Sequence, residues 1–104
     1  MEQERRKNDR STVSLEAKLF GSNDGYRARV SDVSMGGCYV ETIASVSVGD
    51  NVAVQVKAPN GNWISLKGKV TAYHPTVGFG MSFSQLSQEV TDFLKDAVER
   101  INQD

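Results

Sequence analysis

The sequence predicts an all-β core: a six-stranded antiparallel β-barrel with a flexible N-terminal arm and a C-terminal α-helix. Three observations predict it. Apolar and polar residues alternate with period two in six short runs between residues 13 and 83. Turn-forming clusters such as Gly21-Ser22-Asn23-Asp24-Gly25 and Pro59-Asn60-Gly61 separate the runs. After Leu86 the period changes to that of a helix. A chain of 104 residues is one domain's worth. A core of that size suits one barrel or sandwich plus one helix.

The elements follow in order. Residues 1–12 are almost wholly polar and charged and cannot build a core, so they are expected to form an arm preceding a barrel domain over 13–104. Val13, Leu15, Ala17 and Leu19 alternate with Ser14, Glu16, Lys18 and Phe20, the pattern of a half-buried strand. Tyr26, Ala28 and Val30 restart it after a hairpin loop. The apolar parity then slips between Val30 and Val33, which predicts a bulge near Ser31–Asp32. Cys38-Tyr39-Val40 forms a short strand after Gly36-Gly37, and Val52, Val54 and Val56 mark the next. Ile64, Leu66, Val70 and Ala72 mark a longer strand, with Gly68 a candidate bend and His74-Pro75 its end. Phe79, Met81 and Phe83 supply the sixth, where Gly78-Phe79-Gly80 points to close packing or a bend. Val90, Phe93, Leu94, Ala97, Val98 and Ile101 then recur at helical spacing, predicting a helix over about 88–102 with Ser87 as its N-cap. No internal repeat is visible.

Composition narrows the function. Hydrophobic residues make up 38% and charged residues 24%, an ordinary globular balance. Net charge is −1, which argues against a general duplex-nucleic-acid binder. The single Cys38 allows no internal disulfide, and no stretch reads as a signal peptide or reaches the roughly 20 apolar residues that span a bilayer. A cytoplasmic protein without membrane insertion is the expectation. Catalytic chemistry is poorly provided for. His74 is the only histidine, and no nucleophile–base–orienter set surrounds it. One His and one Cys make no standard zinc site, and no phosphate-binding glycine loop is present. The reading is therefore a protein that is not an enzyme and holds no cofactor or metal.

Two segments carry recognition chemistry. Arg5-Arg6-Lys7-Asn8-Asp9-Arg10 reads either as a solvated charge run or as an anion and guanine clamp. An arginine fork donates two parallel hydrogen bonds to phosphate or to guanine O6 and N7, and its plane stacks on a base. Asp32-Val33-Ser34-Met35-Gly36-Gly37 reads either as a polar turn or as a base-reading edge. A carboxylate accepts from guanine N1–H and N2–H₂ but is unwelcome beside phosphate alone. Arginines combined with Asp32 thus suit a ligand bearing both phosphates and guanines.

Arg6-x-x-x-Arg10, followed after one strand hairpin by Asp32-x-Ser34-x-x-Gly37, resembles the paired signature of the PilZ domain family. Val77-Gly78-Phe79-Gly80-Met81-Ser82-Phe83 is similar to the glycine-containing last strand of such domains. The resemblance covers nearly the whole chain. It implies a non-enzymatic receptor for the bacterial second messenger cyclic di-GMP, bound by Arg5, Arg6, Arg10, Asp32, Ser34, Gly36 and Gly37. An arginine at Arg5 resembles members that accept an intercalated pair of ligand molecules, although it suits a solvent-exposed side chain equally. The arm is expected to order over the ligand and alter a surface read by a downstream partner in motility, polysaccharide export or pilus assembly. Two rivals stand beside this reading: a single-strand nucleic-acid-binding barrel, and a protein-interaction barrel that ignores the dinucleotide. Three other side chains stay open. Trp63 lies off the Ile64/Leu66 face, and the facing of Tyr73 and Met81 is not fixed by the pattern.

Overall fold

The computed structural model describes residues 11–20 and 26–102. The arm through Arg10, which holds Arg5 and Arg6, and the loop 21–25 lie outside the described residues. Six strands follow one another: β1 (Ser11–Phe20), β2 (Tyr26–Val33), β3 (Gly37–Glu41), β4 (Asn51–Lys57), β5 (Trp63–His74) and β6 (Gly78–Phe83). Among the described residues, one helix, α1 (Gln88–Asn102), follows the strands. The strands close into an antiparallel barrel in the order β1-β2-β3-β6-β5-β4. Two three-stranded meanders, β1-β2-β3 and β4-β5-β6, are joined at β3–β6 and at β1–β4. The expected barrel-plus-helix architecture is the observed one.

Alternation determines what the barrel encloses. Along β5, Ile64, Leu66, Gly68 and Val70 are buried while Trp63, Ser65, Lys67 and Lys69 are exposed. Val30, Val40, Val54, Val56, Leu66 and Phe79 fill the interior. Met81 and Cys38 also point inward, and Tyr73 is half-buried against the same core. Trp63 stands on the outer face, where the Lys18 ammonium sits 4.9 Å from its ring centroid.

The helix begins where its cap places it. The Val90 N–H donates to Ser87 Oγ at 3.2 Å, and Glu89 occupies the first turn. Val90, Phe93, Leu94 and Ala97 form its buried stripe, which packs chiefly on β1 and β5.

Local departures from regular pairing matter for the site. Val30 pairs with Val40 and Asp32 with Tyr39, so Ser31 is an extra residue of β2, as the parity slip predicts. A second shift, unforeseen in the sequence, lies between Val70 and Ala72 of β5 and leaves Thr71 as the extra residue. Strand β1 also begins two residues before the expected boundary at 13. Ser11 pairs with Val33 and Thr12 with Asp32. Gly68 serves close approach as well as any bend, because a Cβ there would meet the Ser82 carbonyl.

Candidate functional site

The Asp32–Gly37 segment closes the β2–β3 hairpin, and its backbone is held by its own serine. The Ser34 N–H donates to the Gly37 carbonyl at 2.9 Å. The Ser34 hydroxyl donates to the same oxygen at 3.3 Å and accepts from the Gly36 N–H at 3.3 Å. Ser34 is buried, so its hydroxyl acts on the turn itself. The two glycines differ sharply. A Cβ on exposed Gly36 would meet nothing within 4 Å. Gly37 is buried, and a Cβ there would fall on the Met81 carbonyl oxygen of β6. Gly36 thus leaves open space at the tip, while Gly37 lets β3 approach β6.

Asp32 is half-buried on the outer face. The register extends a row of residues outward from it: Asp32 on β2, Tyr39 on β3, Gly80 on β6 and Ala72 on β5. A neighbouring row runs Glu16, Arg29, Glu41, Gly78 and His74, with charges of opposite sign facing one another across β1, β2 and β3. An open groove of about 810 Å³ crosses this side of the barrel, its wall mixing Lys18, Arg27 and Arg29 with Glu16 and Glu41.

Tyr39 and His74 are a pair that the sequence pattern does not reveal. The Tyr39 hydroxyl and His74 Nδ1 are hydrogen-bonded at 2.9 Å, and the ring centroids stand 5.9 Å apart, tilted by 37°. The contact reaches from β3 to β5 across β6, which shows glycines at 78 and 80 on that face. Positions where a Cβ would stand on Gly78 and Gly80 lie 3.0 Å from Tyr39 Cε2 and 3.8 Å from Tyr39 Cδ1. These carbons are opposite one another on the ring, so the ring lies flat along the strand rather than edge-on. Gly78-Phe79-Gly80 was the available signal, but its meaning depends on the β3–β6 register. The Tyr39 phenol is raised above its ordinary value of 10.0, first by burial and then by the Glu41 and Asp32 carboxylates, so it carries its proton at neutral pH.

Of the residues expected to bind ligand, Asp32, Ser34, Gly36 and Gly37 share one hairpin end. Arg5, Arg6 and Arg10 fall outside the described residues. Among the described residues, no three His, Cys, Asp or Glu side chains gather as metal ligands would. Nor is any helix there long and apolar enough to cross a membrane.

Comparison with known proteins places this architecture. A family model described as "PilZ domain" matches residues 4–100. The inhibitor of motility MotI/DgrA of Bacillus subtilis superposes with a TM-score of 0.72 at 14% identity, covering 90% of this chain and 49% of its own. YcgR of Escherichia coli, solved in complex with c-di-GMP, also gives 0.72, at 16% identity, covering 91% of this chain and 45% of its own. The chain therefore spans about half the length of these two proteins. No curated protein sequence matches significantly.

Proposed function

The chain belongs to the PilZ domain family, and from that premise we propose that it is a non-enzymatic receptor for cyclic di-GMP, clamped between the arm and the Asp32–Gly37 hairpin. The observation that supports this most directly is a register. Ser11 pairs with Val33 and Thr12 with Asp32, so the strand that emerges from the arm runs beside the second motif. Arg10 is bonded to Ser11, and consecutive Cα atoms are about 3.8 Å apart. Arg6 is four residues further back, within roughly 18 Å of Ser11 even fully extended. Both arginines are thus tethered within reach of Asp32. The solved YcgR complex supports the ligand's identity through its fold.

In this reading Arg6 and Arg10 grasp phosphate and a guanine Hoogsteen edge, while Asp32 accepts from the opposite N1–H and N2–H₂ edge. Ser34 fixes the hairpin from which Asp32 projects, and Gly36 keeps its tip open. Ordering of the arm creates a surface for a downstream protein, in the motility, polysaccharide-export or pilus machinery. Isothermal titration calorimetry on the full chain should show saturable heat with cyclic di-GMP and none with a single-stranded oligonucleotide. Two ligands per chain would assign Arg5 to an intercalated pair. Binding of the oligonucleotide with no response to cyclic di-GMP would favour the nucleic-acid-binding rival.

A further inference from the structure

We propose that Tyr39 is a purine-stacking shelf that carries the ligand face from Asp32 across β3 to β6, with His74 as its positioning residue. The inference rests on the cyclic di-GMP reading and adds to it a contact outside the two sequence motifs.

Three observations carry it. Tyr39 stands directly opposite Asp32 on the outer face of an antiparallel pair, where facing Cβ atoms are about 4.5–5.5 Å apart. A guanine whose Watson–Crick edge meets the Asp32 carboxylate has its ring system within reach of Tyr39. The Tyr39 ring lies flat over Gly78 and Gly80 on the outer face of β6. Tyr39 remains partly accessible. The ring is also held: its hydroxyl is bonded to His74 Nδ1 at 2.9 Å, so little side-chain freedom remains to be lost on stacking.

The arrangement explains residues that the two motifs leave unused. Gly78, which the Val40 carbonyl of β3 also requires because a Cβ would fall on it, leaves the floor beneath the ring clear, and Ala72 on the same row as Gly80 adds only a methyl group.

The test is calorimetric titration of cyclic di-GMP into the parent, Tyr39→Ala, Tyr39→Phe and His74→Ala, with NMR of the parent's tyrosine ring protons. Loss of a base–aromatic stack should lower the affinity of Tyr39→Ala about tenfold or more. Tyr39→Phe keeps the ring but loses the hydroxyl's bond to His74, so it and His74→Ala should both fall between the parent and Tyr39→Ala. The Tyr39 ring protons of the parent should move upfield on saturation, a readout independent of how any variant folds. Parent binding with unmoved Tyr39 ring protons, or a folded Tyr39→Ala that binds as tightly as the parent, would overturn the shelf and leave the receptor reading standing. Failure of the parent to bind would overturn both.

Discussion

Asp32→Ala, Arg6→Ala and Arg10→Ala are each expected to weaken cyclic di-GMP binding by tenfold to a hundredfold. In the proposed complex each substitution removes hydrogen bonds that involve a charged group, worth about 1.5–3 kcal/mol. The three losses have different chemistry. Removing an arginine takes a cation from beside phosphate and a fork from beside a base, so its effect should shrink as salt is raised. Removing Asp32 leaves guanine N1–H and N2–H₂ without their acceptor, and its effect should depend less on salt. Asp32 lies outside the buried interior, so the far-ultraviolet circular dichroism of Asp32→Ala should match the parent. Parent-like affinity in Asp32→Ala would remove the guanine-reading role given to the hairpin.

The two adjacent glycines of the hairpin should respond in opposite ways. Gly37→Ala drives a methyl group into the Met81 carbonyl oxygen, with the Ser82 Cα only 3.2 Å away. Both obstacles are backbone of the paired strand, so relief requires β3 and β6 to separate. A cost of about 2–3 kcal/mol is expected, typical of overpacking. For a domain of this size that lowers Tm by roughly 10–20 °C. Gly36→Ala meets open space and should shift Tm by no more than a few degrees. Thermal melts of the two variants check this directly. Equal destabilisation would mean that the β3–β6 approach is not what the second glycine serves.

Much of this fold was legible because its information is local. The alternations in Val13–Leu19, Val52–Val56 and Ile64–Val70 reach the barrel intact, since one face of each strand must be buried. The bulge at Ser31 was readable as a slip in apolar parity, and the helix cap at Ser87 as a polar residue before a helical stripe. Ser11 and Thr12 were not legible as strand because polar residues carry no burial signal; the partners on β2 define their state. Met81 and Tyr73 alternate plainly, yet only closure of the barrel says which side is inside.

The site divides along the same line. Asp32, Ser34, Gly36 and Gly37 are near neighbours in sequence, so their turn could be read as a unit. Tyr39 and His74 are 35 residues apart and meet only because β6 lies between β3 and β5 with glycines at 78 and 80. That contact exists in the register and nowhere in the local pattern. Gly37 shows how one residue can belong to both descriptions: the motif marks it as a ligand residue, and the geometry requires it for strand packing.

The central claim is that two segments distant in sequence close on one dinucleotide. An amide-resolved NMR titration of the full chain with cyclic di-GMP tests it most directly. The expected result is that amides of residues 5–10 and of 32–37 shift together and saturate at the same ligand concentration. Saturating cyclic di-GMP that leaves both sets of resonances unmoved, or moves either set without the other, would contradict it.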